Sequence, residues 1–396
     1  PVMTPVVLRK TATALRLLRR AVAHRALPIR PWRPGSSPRT LIVSGGAGAP
    51  FQYRVAHQLE QLAQSDLAFA AFDQLHARLH RQLEQTELLY LYRPAATPVM
   101  HQFIDQAQAR RIPVIYDTDD LIWDERLIEY CDLKQVHGAA AIPAFLAEFH
   151  RSKALMQRAD AFVASTEYLA GLLRASFGTP AFVNRNAVSQ RMVEQSARLF
   201  ERVQQRSHDH VVIGYFSGWP KAHEPDLAVA LPGLLRALDE ETQARLRIVG
   251  HFDVMALPEQ VRARVETVPF QPFDQLLDAI AAVDINLAPI VDNPHRRAKS
   301  AVKMLEAALV GVPTVASDLE PYQLIRRGES GMLAADDAGW RRAILALVRD
   351  AELRKRMGAA ARAQVLRDET SAARAPHFAA LLGELASIDY NQRRFQ

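Results

Sequence analysis

Short apolar segments alternate with amphipathic segments along the chain from residue 40 onwards. The segments TLIVSG at 40–45 and PVIYDTDD at 113–120 are typical of buried strands, and stretches with helical spacing of apolar residues lie between such segments. Three further strand segments in this first unit are at 87–93, 160–166 and 181–186. Strands that alternate with helices predict a parallel sheet with crossover helices.

The alternation starts again after a polar helical stretch at residues 191–208. The second series of predicted strands is at 210–218, 244–250, 265–270, 284–290 and 312–318, with a helix from about Ser300 to Val310 before the last strand. Two such units in succession predict an α/β protein with two doubly wound, Rossmann-like domains that face each other across a cleft. Ligands of such sheets bind beyond the carboxyl ends of the strands.

This pattern divides the chain into five parts. In order they are a leading segment at 1–39, an N-terminal domain at 40–190, a connector at 191–209, a C-terminal domain at 210–367 and a last helix at 368–396. The last helix either closes the second domain or returns to the first, and the pattern leaves both options open.

Charge sets the leading segment apart. The 396 residues include 49 Lys+Arg and 43 Asp+Glu, a formal net charge of +6, yet ten basic residues precede Glu60, the first acidic one. The rest of the chain is mildly acidic, which argues against a nucleic-acid-binding body. Cys131 is the only cysteine, and there is neither a long apolar run nor a signal-peptide pattern. Together these features favour a cytoplasmic protein.

The leading segment itself has two parts. Residues 5–26 have apolar residues at helical spacing with arginines between them, which predicts a basic amphipathic helix, and the prolines of 28–38 predict an extended linker. The helix is suited to an anionic membrane surface at the inner face of a membrane. The alternative is a helix packed on its own protein with its arginines in solvent, and both interpretations stay open.

Two predicted loops of the first unit contain residues suited to ligand contacts. Gly45, Gly46 and Gly48 follow a strand and either allow close backbone approach to a phosphate or sugar or only form a tight turn. Asp119 and Asp120 end the third strand, where they can hold a divalent ion, orient an acceptor hydroxyl, act as a base, or cap a helix. Capping and acceptor contact are favoured over a metal site.

The segment 293–317 has the strongest chemical signal. Ser300 is a predicted helix N-cap, so the free N–H groups of the first turn, together with the charge of Lys299, suit a diphosphate. Lys303 and Glu306 share roughly one face with Ser300, and Glu306 suits a ribose diol. The alternative is a surface helix with a Lys303–Glu306 pair. Near Gly218, Lys221 can approach the same phosphates, or the loop is merely solvated.

These segments together resemble the GT-B fold glycosyltransferases of the large retaining, nucleotide-sugar-dependent family (glycosyl transferases group 1), and most of all enzymes of surface-polysaccharide assembly. The resemblance is carried in the second unit by residues 213–238, 246–250, 283–290, 298–317 and 328–334, and in the first unit by 51–62, 115–124 and 159–169. It implies transfer of a sugar from a nucleoside-diphosphate sugar to a hydroxyl of a glycan or lipid-linked acceptor, with no metal ion or other cofactor and no nucleic-acid partner.

The resemblance also assigns residues to the site. The implied donor-binding residues are Gly46, Gly48, Gly218, Lys221, Lys299, Ser300, Ala301 and Glu306. The residues expected on the acceptor side are Tyr53, Arg54, Arg93 and Asp119, and the catalytic candidates are Lys299, Lys303, Asp119 and Asp120. The family usually has a glutamate where this chain has Ala298, which leaves sugar identity and retention open. A nucleotide-sugar 2-epimerase and a catalytically inactive scaffold of the same fold are the alternatives.

Overall fold

The computed structural model describes residues 29–206, 210–218 and 224–388. The helix predicted at residues 5–26 and the loop residue Lys221 therefore lie outside the described residues. No helix within the described residues is both long enough and apolar enough to cross a membrane.

The first domain is built on a seven-stranded sheet with the strand order β1-β3-β2-β4-β5-β6-β7. Its strands are β1 (Arg30–Arg33), β2 (Ser36–Ser44), β3 (Leu67–Asp73), β4 (Leu88–Tyr92), β5 (Val114–Thr118), β6 (Ala161–Ala164) and β7 (Ala181–Val183). β1 runs antiparallel to β3, and the other neighbouring strands are parallel. The carboxyl ends of the parallel strands therefore share one edge of the sheet.

The second domain has a six-stranded, wholly parallel sheet with the order β10-β9-β8-β11-β12-β13. Its strands are β8 (Val211–Ser217), β9 (Ala244–Gly250), β10 (Val265–Val268), β11 (Ile285–Ala288), β12 (Thr314–Ser317) and β13 (Met332–Ala334). The two sheets with their helices form the predicted pair of doubly wound domains, so the predicted fold class is confirmed.

Helices cover both faces of each sheet. They are α1 (Gly48–Phe51), α2 (His57–Ala63), α3 (Leu79–Gln82), α4 (Pro98–Ala109), α5 (Leu127–Tyr130), α6 (Leu133–His137), α7 (Ile142–Met156), α8 (Glu167–Phe177), α9 (Gln190–Gln204), α10 (Glu224–Glu240), α11 (Glu259–Arg262), α12 (Leu276–Ile280), α13 (Pro294–Arg297), α14 (Val302–Leu309), α15 (Asp337–Arg349), α16 (Ala351–Asp368) and α17 (Ser371–Ala386). Successive strand residues enter opposite cores, since Leu41 and Val43 pack in one apolar cluster and Ile42 in another. A π-helical turn, Gln52–Ala56, joins α1 to α2.

Two strands of the first sheet differ from the sequence prediction. β1 and the start of β2 lie in the segment that was expected to be an extended linker, so the first sheet includes residues that precede the predicted boundary at residue 40. Pro31 is tolerated in β1 because β1 is an edge strand, where a missing N–H need not break a ladder. β3 was not predicted, because its first six residues, LAFAAF, are an unbroken apolar run that periodicity cannot distinguish from a buried helix.

The last helix, α17, packs against the first domain. Leu381, Leu382 and Leu385 join the apolar cluster that contains Ile42, and the ring of Phe378 meets that of Tyr90 edge-on with centroids 5.9 Å apart. The chain therefore crosses between the domains twice. The crossings lie side by side, because Val188 N–H donates to Glu369 O at 2.9 Å and Ser371 N–H donates to Val188 O at 2.8 Å.

Candidate active site between the two domains

Two loops of the first domain leave the carboxyl ends of β2 and β5, which lie on either side of β4, and form one wall of the cleft. The glycine loop follows β2, and Asp119 and Asp120 follow β5. A Cβ on Gly46 would lie 2.4 Å from the ring of Tyr92, so glycine is needed there for the loop to pack on the end of β4. Gly48 has a φ of 71° and open space around it, and its contact with a donor sugar stays a prediction.

The opposite wall comes from two short helices of the second domain, α13 and α14. Asn293 caps α13 through its side chain, which accepts from Arg296 N–H at 2.9 Å. The N-cap of α14 is Ala301, which offers no side-chain oxygen to the helix. The predicted N-cap, Ser300, is therefore wrong, and its hydroxyl instead accepts a hydrogen bond at 2.9 Å from Nδ2 of Asn186, a residue of the first domain. The backbone N–H groups at the start of α14 lack a side-chain cap, as an anion-binding helix start requires.

Glu306 and Tyr53 meet across the cleft. The Tyr53 hydroxyl donates to Glu306 Oε1 at 2.6 Å, and the exposed fractions of the two residues are 4% and 7%. Burial raises the pKa of the Glu306 carboxyl to about 7, although the hydrogen bond from Tyr53 and the charge of Lys303 act in the opposite direction. Burial and the neighbouring carboxylate raise the pKa of Tyr53 well above its usual range. The predicted ribose ligand and a predicted acceptor-side residue are thus direct neighbours.

Asp120 meets two side chains of the second domain. Lys299 Nζ lies 2.9 Å from Asp120 Oδ2, and His295 Nε2 lies 3.0 Å from Asp120 Oδ1. Burial alone would raise the pKa of Asp120, but the charge of Lys299 and the hydrogen bond from His295 outweigh it and hold that pKa well below its usual range. The structure therefore brings an ionised acceptor-side carboxylate against the lysine predicted for the donor phosphates.

Residues 208–350 match the family model of glycosyl transferases group 1. The matched residues include all six strands of the second domain. For these residues, here called the group 1 domain, the resemblance inferred from the sequence is confirmed. A curated phosphatidyl-myo-inositol mannosyltransferase of Mycobacterium leprae (strain TN) is 35% identical over 146 residues, which are 36% of this chain and 38% of that protein. The chain thus spans about two fifths of the length of this relative.

The whole two-domain arrangement, including the group 1 domain, is similar to solved structures. Anabaena Alr3699/HepE in complex with UDP and glucose superposes with a TM-score of 0.55 at 15% identity, covering 87% of this chain and 100% of that one. Sucrose-phosphate synthase from Thermosynechococcus elongatus gives 0.53 at 14% identity, covering 88% and 99%. At these identities the likeness shows the fold, which is GT-B.

The group 1 domain accommodates its alanine at position 298 by packing. Ala298 is 1% exposed and lies in an apolar cluster of the first domain, while its carbonyl accepts from Thr166 Oγ1 at 2.9 Å. A small side chain at this position lets the start of the α14 segment press directly on the first domain. Ala301, another residue predicted to contact the donor, is also buried.

Lys303 and Gly218 complete the candidate residues of the group 1 domain. The Lys303 ammonium lies 4.9 Å from the centre of the Tyr215 ring and has no hydrogen-bond partner within the described residues. Burial lowers its pKa, and the predicted Lys303–Glu306 surface pair does not form. Gly218 directly follows β8, and no atom of the described residues beyond its chain neighbours lies within 4 Å of the position that a Cβ would take there. Its contact with phosphate, and the catalytic role of Lys303, stay predictions.

The remaining acceptor-side candidates divide into two sets. Asp119 Oδ1 accepts from the Tyr92 hydroxyl and from Arg93 Nη1, both at 3.1 Å, so Asp119 and Arg93 hold each other at the rim of the first domain. Arg54 is fully buried, with Nη2 2.7 Å from Asp117 Oδ1 and Nη1 donating to Asn184 O at 2.5 Å. This interior position contradicts the predicted contact between Arg54 and an acceptor.

Several site residues were not found from the sequence. His295 and Cys131 lie 164 positions apart from one another, and Asn186 lies 114 positions from Ser300. No local spacing links such pairs, although the cluster NPHRRAKS does place a histidine four residues before Lys299. Within the described residues, no three His, Cys, Asp or Glu side chains converge so as to hold a metal ion, and metal independence stays a prediction.

Proposed function

We propose that the protein is a glycosyltransferase that moves a sugar from a nucleoside-diphosphate sugar to a hydroxyl of a glycan or lipid-linked acceptor, in surface-polysaccharide or glycoconjugate synthesis. The convergence of Lys299, Ser300 and Glu306 of the group 1 domain on the first-domain wall carries this proposal. Each of the three touches a side chain from the opposite domain. A substrate in this cleft would therefore contact both domains at once.

The donor diphosphate is proposed to bind at the start of α14. Uncapped N–H groups at a helix start attract anions, and the Lys299 ammonium adds a full charge beside them. The same groups would stabilise the negative charge that grows on the departing nucleoside diphosphate. This cationic arrangement supports leaving-group stabilisation by the chain itself, without a metal ion.

The ribose is proposed to bind Glu306. Its Oε1 already accepts from Tyr53, so the second oxygen is the one proposed to receive a ribose hydroxyl. A carboxylate accepts such hydrogen bonds better than a carboxylic acid, because one oxygen of the acid carries a hydrogen and acts as a donor. Since the pKa of Glu306 is about 7, nucleotide affinity should be highest above pH 7 and fall as the pH drops through that value.

Asp120 is proposed to orient the acceptor hydroxyl. A carboxylate whose pKa is held well below its usual range is a weak base, so removal of a proton is a poor task for it. It remains a strong hydrogen-bond acceptor, which suits it to fix the direction of an attacking hydroxyl. Asp119 and Arg93 lie beside it and would contact the acceptor further out.

The leading basic segment is proposed to bring the enzyme to an anionic membrane that carries the acceptor, on the cytoplasmic side. β1 is antiparallel to β3, and Arg30 pairs with Ala71 near the carboxyl end of β3. The chain that precedes Arg30 thus joins the first domain at the edge from which the cleft loops project. The mannosyltransferase relative, whose name includes a phosphatidyl-inositol, supports a lipid-linked acceptor.

Donor binding and turnover test the proposal directly. Thermal shift with UDP, GDP, dTDP and CMP should identify one nucleotide that raises the melting temperature, and a panel of sugars on that nucleotide should include one from which nucleoside diphosphate is released. Lys299→Ala and Glu306→Ala should weaken both signals, whereas the exposed Lys153→Ala should not. Binding without release would support an inactive scaffold, and interconversion of sugars without release would support an epimerase. Normal transfer in both site variants would refute the assignment.

The membrane contact is tested separately. Deletion of residues 1–28 keeps β1 and β2, whereas deletion to residue 39 would remove β1 and part of β2. The shorter deletion should reduce sedimentation with vesicles that contain anionic phospholipid and leave the release of nucleoside diphosphate in solution unchanged. Unchanged sedimentation would refute a membrane role for the segment.

A further inference from the structure

His295 of α13 lies between two side chains of the first domain. Its Nε2 is 3.0 Å from Asp120 Oδ1, and its Nδ1 is 3.2 Å from Cys131 Sγ. The histidine is 5% exposed. Asn293, which caps α13, donates through Nδ2 to Tyr130 O at 3.2 Å, in α5 next to Cys131. These contacts hold the imidazole in one orientation and occupy both ring nitrogens.

The protonation states of the neighbours decide the direction of these hydrogen bonds. Asp120 is ionised, so it only accepts, and His295 Nε2 must carry a hydrogen. Burial lowers the pKa of His295, and the charge of Lys299 lowers it further, so the ring is neutral near pH 7 and carries one hydrogen. Nδ1 is therefore an acceptor. Burial raises the pKa of the Cys131 thiol, which keeps its hydrogen and donates it to Nδ1.

We propose that Cys131 and His295 are positioning residues for Asp120: the thiol fixes His295 in its Nε2–H tautomer, and Nε2–H directs the Asp120 carboxylate into the cleft. This inference rests on the proposed function, in which Asp120 orients the acceptor hydroxyl. Asp120 Oδ1 also accepts from Leu121 N–H at 2.9 Å, within the first domain. The other two donors, His295 and Lys299, belong to the second domain, so the arrangement is complete only when the domains are docked.

Lys299 cannot replace His295 in this role. In the proposed function Lys299 also faces the donor diphosphate, which carries more negative charge than one carboxylate and competes for the ammonium. When the donor draws Lys299 away from Asp120 Oδ2, His295 remains the one side chain of the second domain, within the described residues, that holds the carboxylate. The neutral imidazole of His295 orients the Asp120 carboxylate without neutralising its charge. A second cation would neutralise that charge.

Four variants separate a positioning role from a structural one. Cys131→Ser keeps a hydrogen donor next to Nδ1, and Cys131→Ala removes it. His295→Gln keeps an amide that can donate to Asp120, and His295→Ala removes it. His80→Ala is the control, since His80 is a partly buried histidine that bonds to Gln106 within the first domain, at 2.9 Å.

The measurement is nucleoside diphosphate release from the donor found by the panel, with octyl glycosides as acceptor probes and water as the reference acceptor. We expect Cys131→Ala and His295→Ala to lower kcat by about 10-fold to 100-fold, because misplacing a reacting group by about 1 Å has an effect of that order. Cys131→Ser and His295→Gln should restore most of it. Nucleotide affinity by thermal shift should stay within about 2-fold of the parent protein in all four, because no nucleotide contact is removed.

The tautomer provides a second, independent measurement. In the ligand-free protein at pH 7.5, ¹⁵N spectra of the histidine rings should show His295, identified by its loss in His295→Gln, with hydrogen on Nε2 and not on Nδ1. A ring protonated on both nitrogens or on Nδ1 would overturn the inference, as would equal kcat in Cys131→Ala and Cys131→Ser. If the parent protein neither binds nor turns over any nucleotide sugar, the proposed function fails, while the spectrum still decides the hydrogen-bond direction.

Discussion

Two pairs of buried charges on opposite sides of the cleft are arranged in opposite ways. In the first domain, Arg54 and Asp117 have no exposed surface and bond to each other at 2.7 Å. In the second domain, Lys303 and Glu306 lie three residues apart on one face of α14, yet the ammonium has no hydrogen-bond partner within the described residues. Removing one partner of a buried ion pair is strongly destabilising, whereas buried ionisable groups with shifted pKa values are typical of sites that bind a ligand.

The difference shows which wall is fixed before substrate arrives. Arg54 and Asp117 also bind Asn184, Asn186, Gln58 and Tyr90, so the strand ends of the first domain are tied together internally. Within the described residues, the Glu306 carboxylate accepts one side-chain hydrogen bond, and it comes from the other domain. The first domain therefore offers a rigid surface, and the α14 wall keeps polar groups whose interactions a donor can complete.

The largest effect is expected from breaking the paired charges. Arg54→Met leaves the Asp117 carboxylate buried without its cation, and we expect the free energy of unfolding to fall by about 3–5 kcal/mol. Urea denaturation followed by circular dichroism measures it. The double variant Arg54→Met, Asp117→Leu should recover much of the loss because no lone charge remains. A loss in Arg54→Met of under about 1 kcal/mol would mean that water or another group compensates the carboxylate.

A substitution at Glu306, in the pair that does not form an ion pair, should affect ligand binding instead of folding. Glu306→Gln preserves the shape and the Tyr53 contact but removes the charge, so nucleotide affinity should fall by about 10-fold while stability stays within about 1 kcal/mol. Isothermal titration with the nucleotide identified by thermal shift measures the affinity. Glu201→Gln, an exposed glutamate on α9, is the control. A large loss of stability with unchanged affinity would reverse the contrast between the two walls.

A change of pH sharpens the comparison further. The Tyr53 hydrogen bond lowers the pKa of Glu306 and so opposes the effect of burial. Tyr53→Phe should therefore raise that pKa above about 7, and the pH below which nucleotide affinity declines should move upwards by up to about one unit. Titrations between pH 6 and pH 9 would show the shift. An unshifted profile would mean that another group controls the pH dependence.

The smallest effect is expected where the two walls touch at Ser300. Asn186→Ala removes the donor to the Ser300 hydroxyl and one acceptor of Arg54. We expect a loss of about 1 kcal/mol in stability, the size of a typical hydrogen bond, and a change in nucleotide affinity of about 3-fold or less. Ser300→Ala gives the matched comparison, since it removes the same bond without disturbing Arg54. A larger loss in Ser300→Ala than in Asn186→Ala would point to direct contact of the hydroxyl with the ligand.

Local pattern was sufficient for much of the fold and for part of the site. The strands β2, β5, β8 and β12 follow buried runs next to glycine or acidic turns. The position of Lys299 and Glu306 at the cleft was predicted from the spacing of a helix start and a helix face. Arg54 was misplaced because its environment depends on Asp117, 63 residues away. The sequence shows that an arginine follows a glycine loop, but it does not show which way that arginine points.

The same limit applies to β3 and to His295. Six apolar or small residues in a row fit a strand or a helix equally well, and only pairing with β1 and β2 decides between them. His295 acquires its contacts when two domains meet, and no periodicity encodes that event. Features set by neighbours in sequence were therefore predictable, whereas features set by partners across the cleft were not.

The two chain crossings lie side by side at Val188 and Thr370, where they pair through an isolated parallel bridge. Any rotation of one domain against the other must deform both crossings, and the contact between Asn186 and Ser300 lies only two residues from Val188. A single proteolytic cut in either crossing would leave the two domains connected by the other crossing. After one such cut the two domains should therefore still elute together in size-exclusion chromatography under native conditions. The covalent connection between them is lost only when both crossings are cut.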